Sequence, residues 1–246
     1  MEKYQEKLTI KSYQTNQYGK ASIAALFNVM LEAAWAHAQI MDWGYDDLKN
    51  HNLFWVLSRF YLQVEKYPAW QDEITLNTWS AGTDGMYAYR EYIVEDSEGE
   101  IVLRGSSAWL ILDVDTRKIF RLSDYKTTFP KRIDANACRN PKRIKPDVHT
   151  EKLSYSPVLF SELDINKHFN SVKYVERVLD EFGVDFLNGN EPAELEVNYL
   201  KEAVAGDSIA VTRSSLNDSE TLNCLVRESD GVDLCVMRIG WRKRLL

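Results

Sequence analysis

This chain of 246 residues has few cysteines, no long uninterrupted hydrophobic run and no excess of positive charge. Its longest apolar stretch, ASIAALFNVMLEAAWAHAQIMDWG, is interrupted by Glu32, His37, Gln39 and Asp42, so it is a poor membrane span and favours a buried helix of a soluble protein. The first residues, MEKYQEKLTIKSYQ, are polar and alternating and lack the apolar region of a secretory signal. We therefore expect neither a membrane-spanning nor a secreted protein.

The three cysteines, Cys138, Cys224 and Cys235, have unrelated spacings that fit neither a disulfide framework nor a metal site. This usage points to a reducing compartment, and we expect a cytoplasmic protein. The net charge of −7 argues against nucleic-acid binding. An acidic partner would have to meet a local basic patch.

What the chain has is material for a core, since 45% of its residues are hydrophobic and 12% are aromatic. The Ala-rich apolar stretch predicts a helix over residues 21–43. Strand patterns follow in NLFWVLSRFYLQVEKY, DEITLNTWSAG, MYAYREYIVED and EIVLRGSSAWLILDV. The turn SEGE joins the last two, which predicts an antiparallel hairpin there.

The same order recurs after residues 131–145, which hold six Lys or Arg against one acid. A strand-like KLSYSPVLF leads to a helix that begins near Asn170, and strand patterns follow in AELEVNYLKE, DSIAVTRSS, TLNCLVRES and VDLCVMRIGWRK. One long helix wrapped by a curved antiparallel sheet resembles the hotdog fold. We expect an α+β tandem (double) hotdog with an N-terminal unit over 1–130, a basic linker over 131–152 and a C-terminal unit over 153–246. Because a lone unit leaves a sheet edge and a helix face exposed, fused units or a homodimer are the expected stable forms.

The two copies can be aligned through short similar segments. Phe27 and Asn28 of FNVMLEAA match FNSVKYVE, while YPAWQDEITL matches EAVAGDSIAV through Asp72. On this alignment Ser22, Ala24 and Leu26 stand opposite Asp164, Asn166 and His168, and Tyr67 stands opposite Glu202. We take the confinement of these polar residues to the second copy as a sign that the chemistry lies there.

Asp164, Asn166 and His168 lie within five residues, just before the second predicted helix. A His beside a carboxylate and an amide can be held in one tautomer for proton transfer, and Glu202 at a strand end offers a second carboxylate. Asn170 or Ser171 can cap the helix, whose first free N–H groups would suit an oxyanion. The alternative is that Asp164 and Asn166 form an Asx turn and Glu202 is a solvated strand end.

These segments resemble the acyl-ACP thioesterases of plant plastids and bacteria, hydrolases that release fatty acids from acyl carrier protein. The strongest family motif runs Asp-x-Asn-x-His, a hydrophobic residue, Asn, Asn or similar, x, Lys, Tyr, and the chain has DINKHFNSVKY with Ser171 at the second Asn. The stretch VNYLKEAVAGDS is similar to a second family segment but is one residue longer before Asp207. The resemblance extends from about residue 5 to the C-terminus.

The resemblance implies a catalytic set of Asp164, Asn166, His168 and Glu202, with His168 and Glu202 activating water, Asp164 orienting His168 and Asn166 holding the carbonyl. Direct attack by Asp164 stays open as an alternative. Ala203 stands where the family's Cys, once thought to be its nucleophile, would lie, which excludes a Cys–His mechanism at that position. No metal or organic cofactor is needed, because a thioester is already an activated acyl donor.

The implied substrate is a fatty acyl chain on the phosphopantetheine arm of acyl carrier protein. The resemblance places the acyl pocket in the first unit, where the first helix with Phe54, Trp55 and Trp79 could line it. The basic segments KRIDANACRNPKRIK and RIGWRKR are candidates to meet the acidic carrier. Three other functions remain open: an acyl-CoA thioesterase, a hotdog hydratase or dehydratase, and a non-catalytic acyl-binding module.

Overall fold

The computed structural model describes residues 3–125, 129, 137–146 and 154–244. The chain divides into two compact units, Met1–Pro141 and Lys142–Leu246. The boundary falls inside the segment 131–152 predicted as a linker, part of which lies outside the described residues.

The N-terminal unit is an antiparallel sheet with one long helix. Its strands follow the order β1-β3-β4-β5-β2, and β6 pairs with β5. The strands are β1 (Lys3–Thr9), β2 (Leu53–Val64), β3 (Glu73–Thr83), β4 (Ala88–Asp96), β5 (Ile101–Asp113) and β6 (Ile119–Phe120). The helices are α1 (Ile23–Ile40), α2 (Tyr45–Lys49) and α3 (Leu122–Tyr125), and a 3-10 helix covers Ser12–Gln14. All four predicted strands are confirmed, and so is the antiparallel pairing of β4 with β5.

Helix α1 is shorter than the predicted 21–43 because Ser22 caps it, its Oγ accepting the Ala25 N–H at 3.1 Å. Its fully buried residues, Phe27 among them, pack in the core of the N-terminal unit. A Cβ at Gly105 of β5 would come within 2.4 Å of Met30 Cε, so the terminal methyl group of Met30 in α1 occupies the space that this glycine leaves beside the sheet. Of the described helices, only α1 is long and apolar enough to cross a membrane, by length and composition.

The C-terminal unit also consists of an antiparallel sheet and helices, and its strands follow the order β8-β11-β10-β9-β7. The strands are β7 (Ser156–Pro157), β8 (Asn190–Tyr199), β9 (Ser208–Asn217), β10 (Glu220–Arg227) and β11 (Asp233–Lys243). The helices are α4 (Ser171–Asp180) and α5 (Gly183–Gly189), with a 3-10 helix at Phe160–Glu162. The predicted helix and the last four strands are confirmed. The strand predicted in KLSYSPVLF is wrong for most of its described length, because only two residues pair and the chain then turns into the 3-10 helix.

The described part of the basic segment is tied to each unit separately by side-chain acceptors. In the N-terminal unit the Ala137 N–H donates to Glu91 Oε2 at 2.9 Å. In the C-terminal unit the Lys142 N–H donates to Glu196 Oε1 at 2.6 Å. Glu91 and Glu196 are both buried, so residues near the unit boundary are held by carboxylates of the sheets.

Candidate active site

A tight turn carries Asp164, Asn166 and His168 between the 3-10 helix and α4. The Asp164 Oδ1 accepts the N–H groups of Asn166 at 2.8 Å and His168 at 3.0 Å, and the Asp164 N–H donates to the His168 carbonyl at 2.8 Å. Lys167 takes a left-handed backbone conformation with φ of 63°. Asp164 therefore forms the Asx turn considered from the sequence, and its Oδ1 contacts the backbone of His168 and not the ring.

The same turn brings His168 beside Glu202. His168 forms an antiparallel bridge with Val204, and the Phe169 N–H donates to the Ala203 carbonyl at 2.8 Å. His168 Nε2 lies 3.6 Å from Glu202 Oε2, and the two side chains are 24% and 36% exposed. The structure thus joins two residues distant in sequence as a half-buried imidazole and carboxylate pair that solvent can reach.

Two polar groups of the turn stay available to a ligand. Asn166 is exposed, and within the described part of the chain its side-chain amide makes no hydrogen bond. The Asp164 Oδ2 also makes no hydrogen bond to any residue that the structure describes. The turn therefore presents an amide and a carboxylate oxygen close in sequence to His168.

The expected oxyanion donors at the start of α4 are in part already used. The Asn170 Oδ1 accepts the Val172 N–H at 2.9 Å, and the Lys173 N–H donates to the Asn170 carbonyl at 2.9 Å. The predicted cap by Asn170 is confirmed, and the cap residue accepts two of the first N–H groups of the helix. The use of other N–H groups of this helix end for an oxyanion stays a prediction. The exposed Asn166 amide is a further candidate donor, since its side chain makes no hydrogen bond to a described residue.

The N-terminal unit builds the same turn with different residues. The Asn16 Oδ1 accepts the Tyr18 and Lys20 N–H groups at 3.0 and 3.4 Å, and the Asn16 N–H donates to the Lys20 carbonyl at 2.8 Å. Gly19 takes the left-handed conformation with φ of 65°, as Lys167 does in the C-terminal unit. A turn that both units build is structural in origin, so the carboxyl group of Asp164 has a structural use besides any chemical one.

These hydrogen bonds correct the alignment of the two copies. Lys20 forms a β-bridge with Ala69, just as His168 forms one with Val204. The Ala21 N–H donates to the Pro68 carbonyl at 2.7 Å, just as the Phe169 N–H donates to the Ala203 carbonyl. Asn16, Tyr18, Lys20 and Tyr67 therefore occupy the positions that Asp164, Asn166, His168 and Glu202 occupy in the second unit. The match of Tyr67 with Glu202 is confirmed, but the matches of Ser22, Ala24 and Leu26 are wrong by six residues. In both segments an Asn or Asp is followed three positions later by a residue with a left-handed backbone, and a helix cap comes three positions after that. This shared spacing could have revealed the correct alignment.

The corrected alignment makes the asymmetry of the units more specific. The first unit retains the turn-forming oxygen through Asn16, whereas Lys20 and Tyr67 replace the imidazole and the second carboxylate. The C-terminal unit alone thus has the His and Glu pair. Lysine and tyrosine are poor general bases at neutral pH, because their ordinary pKa values lie near 10.

An ion pair that sequence reasoning missed holds the segment leading into the turn of the C-terminal unit. Arg177 of α4 donates from Nε and Nη2 to the two carboxylate oxygens of Glu162 at 2.6 and 2.7 Å, and Nη2 also donates to the Pro157 carbonyl at 2.8 Å. The Glu162 Oε2 accepts the Leu159 N–H at 2.7 Å. In the N-terminal unit a neutral residue, Gln14, accepts the corresponding N–H at 2.8 Å.

The three cysteines are buried or half-buried, and none of them forms a disulfide. Burial raises the pKa of Cys138 to about 11 and that of Cys235 well above its usual value. Ala203, at the position once given to a nucleophilic Cys, is fully buried. The thiols of Cys138 and Cys235 therefore stay protonated at neutral pH, since a raised pKa disfavours the thiolate.

Thiol-directed alkylation provides a direct check. We expect N-ethylmaleimide at pH 7.5 to leave the activity of this site unchanged within twofold, because buried thiols react slowly and the site contains no cysteine. Activity is measured before and after treatment, and the modified cysteines are identified by mass spectrometry. Inactivation that follows the labelling of one cysteine, and that a Ser variant at that position prevents, would restore a thiol mechanism.

The basic segment near the C-terminus is engaged locally. Arg238 pairs with Glu196 at 2.8 Å, and Arg242 and Arg244 pair with Glu191 at 2.8 and 3.0 Å. The three arginines of RIGWRKR, a candidate segment to meet the acidic carrier, are thus paired with acidic residues of β8. Whether this segment meets the carrier stays a prediction. Residues 131–136 of the other basic segment lie outside the described residues.

A narrow apolar crevice opens in the N-terminal unit between α1 and the sheet. Ala34, Trp35 and Ala38 of α1, Trp55 of β2 and Trp109 of β5 contribute to its walls. Of the residues proposed from the sequence, Trp55 lines the crevice and Trp79 is buried in the core, whereas Phe54 lies against the Arg117 guanidinium. The crevice has the apolar walls that an aliphatic chain requires.

Comparison with known proteins gives a consistent result across the chain. The family model "Acyl-ACP thioesterase N-terminal domain" matches residues 1–127, and "Acyl-ACP thioesterase C-terminal domain" matches residues 145–243. Oleoyl-acyl carrier protein thioesterase 1, chloroplastic, of Arabidopsis thaliana is 25% identical over 98% of this chain and 76% of its own length. Palmitoyl-acyl carrier protein thioesterase, chloroplastic, of Gossypium hirsutum is 28% identical over 98% of this chain and 64% of its own length.

Solved structures agree on the fold. An acyl-ACP thioesterase from Bacteroides thetaiotaomicron superposes with a TM-score of 0.90 at 22% identity, covering 98% of both chains. The 12:0-ACP thioesterase from Umbellularia californica gives a TM-score of 0.86, also at 22% identity and 98% coverage of both chains. At this level of identity the likeness concerns the architecture.

Proposed function

Because the chain belongs to the acyl-ACP thioesterase family, we propose that it hydrolyses the thioester of fatty acyl-ACP, releasing a free fatty acid and holo-ACP, at the turn that carries His168. One observation supports this location above the others. His168 and Glu202 lie 3.6 Å apart in the C-terminal unit, while the same turn in the N-terminal unit has Lys20 and Tyr67 at these positions.

The proposed reaction is attack by water on the thioester carbonyl. His168 accepts a proton from the water, and Glu202 stabilises the imidazolium that forms. The proton then passes from His168 to the departing thiolate of the phosphopantetheine arm, so that a carboxylic acid and a thiol result. The exposed pair leaves room for a water and for a bulky carrier, since both side chains are about a quarter to a third exposed.

Asn166 is proposed to hold the carbonyl oxygen as negative charge develops on it. Its amide is exposed and carries two N–H donors that no described residue occupies. Loss of one such donor typically costs about 2.7–4 kcal/mol of transition-state stabilisation.

Asp164 acts in this proposal by positioning and not by direct attack. Its Oδ1 fixes the backbone of His168, and this places the imidazole opposite Glu202. We expected Asp164 to orient the imidazole ring directly; in this proposal it orients the ring by binding the backbone N–H of His168. A covalent route through the Asp164 Oδ2 makes a different prediction.

The variant Asp164→Asn separates the two routes. We expect it to fold normally and to retain at least about a tenth of the activity, because Asn16 forms the same turn with an amide oxygen and an Asx turn accepts either residue. The measurement is kcat for thiol release from acyl-ACP, with circular dichroism to check folding. Activity at the uncatalysed level in the folded variant would instead support a covalent intermediate, since an amide cannot attack the thioester.

We propose the N-terminal unit as the part that holds the acyl chain, in a double hotdog whose units span about 1–130 and 153–246. The shared turn, the capped long helix and the antiparallel sheet in each unit support the tandem arrangement. The apolar crevice beside α1 supports the acyl pocket. A homodimer stays a prediction, which analytical ultracentrifugation would check.

The carrier is tested by comparing acyl-ACP with acyl-CoA of equal chain length. Thiol release is followed with both substrates across chains of 8 to 18 carbons. A kcat/KM for acyl-ACP well above that for acyl-CoA supports the proposal, whereas equal values would favour an acyl-CoA thioesterase. Addition of water to an enoyl thioester without thiol release would favour a hydratase.

A further inference from the structure

One charged side chain lies among the apolar walls of the crevice. Of the described residues that line it, only Arg90 carries a charge. Arg90 is 7% exposed, and within the described part of the chain no carboxylate pairs with it. Burial lowers the pKa of Arg90, but an arginine stays protonated in a protein. A buried cation without an anion is costly, so its retention here needs a reason.

The guanidinium is held in a defined orientation by neutral acceptors. Arg90 Nη1 lies 2.9 Å from His37 Nδ1 and donates to Thr78 Oγ1 at 3.1 Å. Because arginine can only donate, His37 Nδ1 must be the acceptor, and His37 is neutral with its proton on Nε2. The Thr78 hydroxyl donates in turn to the Glu91 carbonyl at 2.9 Å.

The remaining donors of Arg90 are not used by the described residues. Its Nε and Nη2 groups make no hydrogen bond to a described residue. Neither atom is fully enclosed, unlike the Trp79 indole nitrogen, which is buried and has no hydrogen-bond partner. These N–H groups therefore have access to the crevice that Arg90 lines. The crevice thus combines apolar walls with the N–H donors of a positively charged, planar guanidinium in a fixed orientation.

We propose that this crevice binds an aliphatic carboxylate, with the chain between the tryptophans and the carboxylate on Arg90. This inference rests on the proposed function in one respect: it assumes that aliphatic chains bind in the crevice. A carboxylate matches the planar guanidinium. The single charge of a carboxylate is balanced by this one cation, whereas a phosphate dianion would leave a negative charge uncompensated among apolar walls.

Equilibrium binding without turnover tests the proposal apart from hydrolysis. Decanoate and decanol are titrated into the protein, and the fluorescence of the crevice tryptophans is followed. We expect decanoate to bind about tenfold or more tightly than decanol, as a hydrogen bond to a charged group would give. The variant Arg90→Met should remove this preference while decanol still binds. Equal affinities in the wild type, or a preserved preference in folded Arg90→Met, would overturn the proposal.

A second variant covers the case in which Arg90→Met does not fold. Ala38→Leu adds bulk inside the crevice and leaves Arg90 in place. It should weaken the binding of both ligands. Undiminished decanoate affinity in folded Ala38→Leu would locate the ligand elsewhere and contradict the proposal.

The carboxylate that binds Arg90 could belong to either of two ligands: a free fatty acid, or an acyl group that carries a second carboxylate at the end away from the thioester. If free acid is the source, decanoate inhibits hydrolysis of decanoyl-ACP in the wild type but not in Arg90→Met. If the acyl group is the source, an acyl-ACP with a terminal carboxylate has a lower KM than decanoyl-ACP. An enzyme active on decanoyl-ACP that shows neither effect would rule out a carboxylate ligand in the crevice, although its thioesterase activity would stand.

Discussion

Replacing His168 with alanine is expected to lower kcat for thiol release from acyl-ACP by about 10²–10⁴-fold, the range that a positioned general base typically contributes. The backbone of the turn should survive, because the N–H and carbonyl of His168 form its hydrogen bonds and alanine keeps both. The measurement is single-turnover thiol release, with circular dichroism and a urea unfolding curve on the same samples.

Lys20→Ala is the matched control for His168→Ala. Lys20 has the same backbone bonds in the N-terminal unit and lies at the same place in the same turn. It should therefore keep the wild-type kcat. A folded His168→Ala variant with full activity would eliminate the proposed site, and equal losses in both variants would indicate a structural effect of the turn.

Glu202→Gln completes this test. Glutamine keeps the size and polarity of the side chain but cannot stabilise an imidazolium by charge. We expect a loss in kcat that is smaller than that of His168→Ala, and nearly no further loss when both changes are combined, because the two residues act as one unit. Independent, multiplicative losses would contradict their cooperation at 3.6 Å.

The largest effect on stability is expected from Arg177→Met. It leaves the carboxylate of Glu162, a residue 8% exposed, without its cation. Breaking a buried pair on one side costs several kcal/mol, and since both side chains of this pair keep some exposure we expect a loss of about 2–3 kcal/mol in the free energy of unfolding. The midpoint of urea unfolding measures it.

Glu162→Gln is the matched variant, because it gives the C-terminal unit the residue that the N-terminal unit has at Gln14. The amide oxygen can still accept the Leu159 N–H, as Gln14 accepts the Lys11 N–H at 2.8 Å. The double variant Glu162→Gln, Arg177→Met should be less destabilised than the sum of the single changes by about 1–3 kcal/mol. Strict additivity would show that the pair contributes no coupling.

The pair also predicts a dependence of stability on pH. Burial alone would raise the pKa of Glu162, but the hydrogen bonds and charge of Arg177, together with the Leu159 N–H, lower it below the usual 4.5. A carboxyl group with a lowered folded pKa stabilises the protein above its unfolded pKa, and this contribution disappears as the pH falls through the folded value. The stability advantage of the wild type over Glu162→Gln should therefore be full at pH 7 and shrink below about pH 4.5.

The corrected alignment of the two units shows where sequence comparison fails. FNVMLEAA and FNSVKYVE match in letters, yet Phe169 precedes its helix whereas Phe27 lies inside one. The hydrogen bonds of Asn16 and Asp164 identify the true equivalents, although these two turns share few letters. Backbone geometry can persist when residues change, because any short side chain with an acceptor oxygen can form an Asx turn.

The sequence by itself determined the order of helices and strands, the antiparallel pairing of β4 with β5 and the cap of α4. These features follow from hydrophobic periodicity and turn chemistry, which act between residues close in the chain. The four candidate site residues came from the resemblance of the sequence to a known family. Only the tertiary structure decided that the His168 imidazole lies 3.6 Å from the Glu202 carboxylate, that Glu162 pairs with Arg177, and that Arg90 lies in an apolar crevice. These contacts join residues of different elements, and they depend on the register that packing of helix and sheet imposes.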